Sequence, residues 1–246
     1  MKTTTTVKKL QDPRQNRILA SLPLSDYKRI LPDLEPILMP LGWVISEAGD
    51  HVNYLYFITS GIISLIYNLE NGSSSEIAIV GNEGMIGISI YMGGESMPSS
   101  TEVQSAGQAY RLSRKIMKRE FALGGKLQHI SLLYTQALIV QTSQTAVCNQ
   151  HHSFDQQLCR WLLMSIDRLH DDKLLITQGL IAKLLGVSRE SVNIAASKLQ
   201  KDGLIIYTRG QITVLNRSEL EKRVCECYSV VSKEYERLLP AKELLI

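Results

Sequence analysis

The sequence predicts an α+β protein in three parts: an N-terminal β-roll, a long helix and a C-terminal winged helix-turn-helix. Three observations carry this. Short strand-like runs separated by glycine turns fill residues 42–80, an apolar helical stretch covers 130–140, and a two-helix pattern with a built-in turn spans 177–209. The expected boundaries are 1–124 for the sensory roll, 125–152 for the long helix and 153–246 for the winged domain.

At 246 residues, with 44% hydrophobic and 21% charged residues, the chain has room for two packed domains and an ordinary globular composition. The start, MKTTTTVKK, has positive charge but no apolar run behind it, and no window approaches 18 uninterrupted apolar residues. No secretion signal and no membrane partner are expected, and the location expected is cytoplasmic. Cys148, Cys159, Cys225 and Cys227 are few, late and irregularly spaced, which fits reduced thiols better than a disulfide framework.

Taken in order, residues 1–12 read as a polar tail. Ile18, Leu19, Leu22, Leu24, Tyr27, Ile30 and Leu34, broken by Pro23, Pro32 and Pro36, predict short helices across 14–38. The period then switches to alternation. Runs at 42–45, 54–58, 61–67 and 76–80, with Asn71-Gly72 as a hairpin turn, predict a small antiparallel barrel or roll. Helix returns from Lys115. The stripe Ile130, Tyr134, Ala137, Gln141, Gln144 and Cys148 alternates by four and three, the spacing of a two-helix seam. Ser153 and Gln156 then form a capping-box pattern at the expected hinge, and a helix through Leu158, Trp161, Leu162 and Ile166 follows.

Thr177 can cap a helix whose apolar positions are Leu180, Ile181, Leu184 and Leu185, with Gly186 ending it and Val187 packing under the turn. Ser188 caps a second helix with its own stripe, Val192, Ala195, Ala196 and Leu199. Small Ala182 lets the two helices cross closely. Two short β-branched and aromatic strands around Arg209-Gly210 read as a wing. Residues 173–217 hold seven basic residues against two acidic ones, a balance of +5 where the whole chain is +3. A basic surface on a helix-turn-helix points to double-stranded DNA. Residues 218–246 read as an added helix with a mixed-charge face.

Ser188-Arg189-Glu190-Ser191-Val192, preceded by Ile176-Thr177-Gln178 and followed by Lys201-Asp202-Gly203-Leu204-Ile205, closely resembles the DNA-binding domain of the bacterial cyclic-AMP receptor protein and fumarate-nitrate regulator (Crp/Fnr) family. AGDHVNYLYFITSGIISLI resembles the cyclic-nucleotide-binding roll that precedes it in the same family. The resemblance implies a homodimer joined through the helix near 125–152, a palindromic operator, and RNA polymerase as a further partner.

Family members that bind cyclic AMP hold the ribose with a Gly-Glu pair and the cyclic phosphate with an Arg-Ser pair. Here Gly87 is present, but Ile88 falls at the glutamate position and Ser99 or a neighbour at the arginine position, and no basic residue lies between Gly81 and Tyr110. An unpaired phosphate buried there would cost several kcal/mol, so cyclic AMP is not expected as the effector, whose identity stays open. Thr142 and Ser143 stand where the family's adenine-contacting pair sits, or are simply polar residues on a helix.

No cofactor and no metal are expected. The first cysteine is Cys148, whereas the oxygen-sensing branch carries its cluster cysteines mostly near the N-terminus; His151 and His152 diverge on a helix, and Cys225-x-Cys227 is too close for a Cys-x-x-Cys knuckle. No nucleophile–base pair or phosphate-cradling loop is visible, so catalysis is not expected.

For DNA, Arg189, Glu190 and Asn193 at the start of the second helix share one reading face. Arginine matches guanine, glutamate accepts from cytosine and asparagine pairs with adenine. In the resembling family the arginine and glutamate of Ser-Arg-Glu are base contacts, and a further basic residue one turn on is replaced here by Ile194. Thr177, Ser188, Lys198 and Arg209 are expected on phosphates. The rival reading is a small-ligand-binding regulatory or interaction module whose helix-turn-helix contacts protein and not DNA.

Overall fold

A computed structural model of the chain describes residues 10–169 and 171–240. Two short helices open it, α1 (Arg17–Ala20) and α2 (Leu24–Ile30). The strands β1 (Glu35–Met39), β2 (Val44–Ser46), β3 (Tyr54–Asn68), β4 (Ser74–Val80) and β5 (Met85–Ile86) follow, then the helical turn α3 (Ser89–Met92), the long strand β6 (Ser100–Ser113) and α4 (Arg114–Ala122). The antiparallel sheet runs β1-β6-β3-β4, with β2 on β6 and β5 on β3.

What bends this sheet into a roll is a close crossing at its centre. β3 and β6 stay paired from Tyr54↔Ser113 to Ile66↔Ser100, but the register slips repeatedly between Ile58 and Ile63. Gly61 has φ +85, and a Cβ on Gly107 would stand 1.9 Å from the Ser60 carbonyl oxygen, so only glycine permits this approach. Leu55, Phe57, Ile58, Ile62, Ile63 and Ile66 fill the interior. The helices expected across 14–38 stop earlier, because 35–39 pairs as an edge strand with β6, where Pro36 is tolerated. The runs at 54–58 and 61–67 are one bulged strand.

The helix α5 (Lys126–His151) crosses this roll. Tyr134 donates to the Met85 carbonyl at 2.9 Å, and the Gln141 side chain pairs with both the N–H and the C=O of Ile79, satisfying the open edge of β4. Here the structure corrects the sequence reading. Ile130, Tyr134, Ala137, Gln141 and Cys148 are buried by the chain itself, Gln141 against Tyr235 and Cys148 against Cys225, and so are not free for a partner subunit. The free apolar face lies on the other side of the helix, through Leu132, Ile139 and Val147. Helical periodicity shows which positions share a stripe, but the packing partner decides which stripe faces outward.

After the Ser153–Gln156 capping box come α6 (Phe154–Ile166), β7 (Lys173–Leu175), α7 (Gln178–Leu185), α8 (Arg189–Lys201), β8 (Ile205–Thr208) and β9 (Gln211–Val214). The wing has three strands in the order β7-β9-β8. The expected terminal helix is two, α9 (Arg217–Arg223) and α10 (Glu226–Leu238), broken at Val224-Cys225. α10 lies back along α5, burying Cys227, Val231, Tyr235 and Leu238. Among the described residues no helix is long and apolar enough to cross a membrane.

The β-roll and the C-terminal domain are locked together by buried polar contacts. Arg168 pairs with Glu83 at 2.8 Å, both side chains nearly inaccessible, and Trp161 donates to Glu76 at 2.8 Å. Burial pushes the Glu76 carboxyl up to about 7, against the hydrogen bonds of Ser64 and Trp161 and the charges of Arg160 and Arg168. α7 also rests on β4, where Ser74 donates to the Lys183 carbonyl at 3.2 Å and Lys183 pairs with Glu102 at 3.2 Å.

Candidate DNA-reading surface and effector pocket

Each joint of the helix-turn-helix is made by the residue types the sequence supplies. The Thr177 hydroxyl accepts from the Leu180 N–H at 3.2 Å, and Ser188 accepts from the Ser191 N–H at 3.0 Å. Such caps each contribute about 1 kcal/mol. Between them Gly186 takes the left-handed conformation, φ 66 and ψ 33, and Val187 N–H bonds back to the Ala182 carbonyl at 3.1 Å. Ile181, Ala182, Leu184, Val192, Ala195, Ala196 and Leu199 are buried.

With the apolar half of α8 spent on packing, its other half is free. Arg189, Glu190, Asn193, Ile194 and Lys198 are all exposed, Ile194 by 63%. Thr177, Arg189 and Arg209 meet in one cleft with Gln178, Tyr207 and Gly210, between the N-termini of α7 and α8 and the wing turn. The wing turn itself has positive φ at both Arg209 and Gly210, the geometry of a tight hairpin. Asn193 accepts from Gln178 at 3.1 Å, which orients its amide along the same face. Lys198 stands apart: it is ion-paired with Asp155 at the start of α6. Gln178 and Tyr207 were not foreseen; the first position after a helix cap is the signal that finds Gln178.

The second feature is a cavity of ≈ 880 Å³ between the roll and α5. Gly87, Ile88, Ser99 and Thr142 line it, while Ser143 is exposed and does not. Its wall is chiefly apolar, with Ile45, Val52, Leu65, Met85, Ile86 and Leu138, and α5 supplies Thr135, Leu138, Ile139 and Thr142. The charged side chains on it are Glu47 and Asp50, with His51 beside them, and no Lys or Arg is among its lining residues. Arg114, beside the pocket rim, is spent on the Val52 carbonyl at 2.9 Å and on Glu95 at 3.0 Å, where it ties two rim loops together. Ser89 is buried in the wall, and its hydroxyl has no hydrogen-bond partner among the described residues.

The four cysteines are free thiols, as the sequence reading expected. Cys148, His152, Cys225 and Cys227 converge, their ligand atoms all within 4.8 Å of one another, from two pairs 73 or more positions apart.

A β-roll with an internal pocket, joined through a long helix to a basic winged helix-turn-helix, has the architecture of a DNA-binding transcription regulator. Comparison with known proteins agrees in both halves. Residues 39–122 match the cyclic nucleotide-binding domain and residues 156–223 the Crp-like helix-turn-helix domain. Together these matches span more than half of the chain, in the family's order, and the chain belongs to the Crp/Fnr family of transcription regulators. No curated protein matches the sequence significantly. Among solved structures, a Crp/Fnr-family protein from Eubacterium rectale superposes with TM-score 0.66 at 19% identity, over 84% of this chain and 96% of its own. FixK2 from Bradyrhizobium japonicum gives 0.65 at 15%, over 78% and 98%. The c-di-GMP-responsive regulator CLP from Xanthomonas campestris gives 0.60 at 16%, over 79% and 100%. At these identities the three structures speak for the fold.

Proposed function

We propose that the protein is a cytoplasmic homodimer that reads a palindromic operator with α8 and answers to an uncharged small molecule in place of cyclic AMP. The observation that carries the DNA reading is the exposed N-terminal face of α8, flanked by the cleft that gathers Thr177, Arg189 and Arg209. Arg189, Glu190 and Asn193 face base edges in the major groove; Ile194 offers an apolar contact to a thymine methyl. Thr177, Ser188 and Arg209 face phosphates, and Lys198 joins them on leaving Asp155. The protein acts by binding and not by catalysis, with RNA polymerase as the partner that transmits the outcome.

Leu132, Ile139 and Val147 supply the dimer face, since they lie exposed along one side of a 26-residue helix. The same helix walls the pocket through Thr135, Leu138, Ile139 and Thr142, so a bound molecule touches the element that joins the subunits. An anionic nucleotide would meet Glu47 and Asp50 and no cationic side chain, a net cost that a neutral, largely apolar molecule avoids. Although CLP answers to c-di-GMP, the acidic lining here argues against a cyclic dinucleotide as well.

Selection of bound duplexes from a random pool tests the reading. A two-fold symmetric motif with half-sites about 34 Å apart is expected. Retention that falls with salt but shows no enriched motif would leave only non-specific binding. Sedimentation of a Leu132→Glu, Ile139→Glu double variant is expected to show monomers with weakened operator binding, whereas an unchanged dimer would put the interface elsewhere.

A further inference from the structure

We infer that Cys148, His152, Cys225 and Cys227 form a tetrahedral Zn²⁺ site that clips α10 to the end of α5. The four come from two places far apart in sequence. Cys148 and His152 lie four residues apart at the C-terminal end of α5, where His152 is the helix's C-cap; Cys225 caps α10 and Cys227 enters its first turn. The extended backbone at Cys225, φ −75 and ψ 164, lets both thiols of Cys225-x-Cys227 turn toward α5. A local spacing rule cannot see a ligand set divided in this way.

The geometry is that of one ion. Tetrahedral zinc with Zn–S about 2.3 Å and Zn–N about 2.0–2.1 Å holds its ligand atoms roughly 3.4–3.8 Å apart. Here Cys148 Sγ and Cys225 Sγ are 3.6 Å apart, Cys227 Sγ and His152 Nδ1 are 3.6 Å apart, and all four atoms lie within 4.8 Å. An iron–sulfur cluster spreads its protein ligands around a multi-atom core, for which this set is too close. The three thiols are buried and form a cluster of their own, separate from the apolar core. Three sulfurs and an imidazole are also the donor set that a borderline-soft cation selects over calcium or magnesium.

The surroundings are suited to a bound ion. His152 Nε2 faces Glu226 at 3.3 Å, an arrangement in which Nε2–H donates to the carboxylate and Nδ1 turns its lone pair to the thiols. Three thiolates, one neutral imidazole and Zn²⁺ sum to −1, and a buried cation stands nearby: Arg160, whose charge acts on both Cys148 and Cys227. Its Nη2 donates to Thr145 at 2.7 Å, while its Nε has no hydrogen-bond partner among the described residues. On binding, the three thiols release protons to solvent and no electron moves.

The position gives the ion a task. Gln157 of α6 donates to the His152 carbonyl at 2.9 Å, so the clip lies at the junction between α5 and the first helix of the DNA-binding domain. Zinc there holds α10 against α5 and sets the angle at which α6 departs; loss of zinc frees both.

The test uses the full-length reduced protein. One zinc per chain is expected by elemental analysis, and the metal-free protein should take up one Co²⁺ with the intense ligand-field and thiolate charge-transfer absorption of a tetrahedral site, displaced by Zn²⁺. Glu226→Gln is expected to lower zinc affinity roughly 10–100-fold, Cys225→Ser more than that, His152→Cys to retain binding, and Cys159→Ser, outside the cluster, to change nothing. Zinc should also slow hydrogen exchange in α10 and the last turn of α5. The site is overturned if the reduced wild type takes up no Co²⁺, gives a weak octahedral spectrum, or responds to Cys159→Ser as to Cys225→Ser. Thiols that oxidise to a Cys148–Cys225 disulfide but bind no metal when reduced would likewise overturn it, and zinc uptake without added protection would overturn the clip.

Discussion

The helix-turn-helix and the pocket of the β-roll occupy one chain and answer to opposite rules. Around Thr177–Gly186–Ser188 each residue's task is set by its immediate neighbours: a hydroxyl for a free N–H, a glycine for a left-handed turn, an alanine for a close crossing. The pocket is assembled from β2, β3, β4, β5, α3, β6 and α5, so its character belongs to no single stretch. The lesson is that a surface built on one motif can be read from its letters, while a cavity shared by seven elements shows in sequence mainly through what it lacks, here the cations for a phosphate.

The comparison can be broken first where the two regions meet. Arg168→Ala leaves Glu83 buried without its partner, and a loss of about 3–5 kcal/mol is expected in chemical denaturation. A change below 1 kcal/mol would mean that the two domains hold together without this pair. The next effect is pH-dependent. The Glu76 carboxyl titrates near 4.5 when exposed and near 7 when buried against Trp161, so the folded state binds the proton more tightly. Stability from this group is complete below about pH 4.5 and is lost as pH rises through 7, a fall of roughly 3 kcal/mol. Glu76→Gln should flatten that slope, and a slope unchanged in the variant would assign it to another group. Smaller again is Thr177→Ala, expected to lower stability by about 1 kcal/mol through the lost cap. Last comes an expected absence of effect: millimolar cyclic AMP should give no saturable heat in calorimetry, and tight binding would show that the pocket finds a cation for the phosphate.

What could be read beforehand follows the same division. The caps, Gly186, the wing turn at Arg209-Gly210 and the capping box at Ser153 are local chemistry and are present in the structure. Strand β6 was hidden, because its residues pair with β1, β2 and β3 and carry little alternation of their own. The outward face of α5 was misplaced from Tyr134 and Gln141 to the opposite of what packing allows, since those side chains are claimed by Met85, Ile79 and Tyr235. The cysteine–histidine cluster joins residues 73 or more positions apart across the α5–α10 contact, and only the tertiary fold brings them together.

The most direct test of the central claim, that α8 reads bases while the cleft around it holds phosphates, is a comparison of Arg189→Ala with the wild type on the selected operator and on random DNA. The account predicts a loss of roughly 1–3 kcal/mol on the operator with little change on random DNA, and an almost unaltered salt dependence. Equal losses on both DNAs would contradict it, because Arg189 would then be one more phosphate contact.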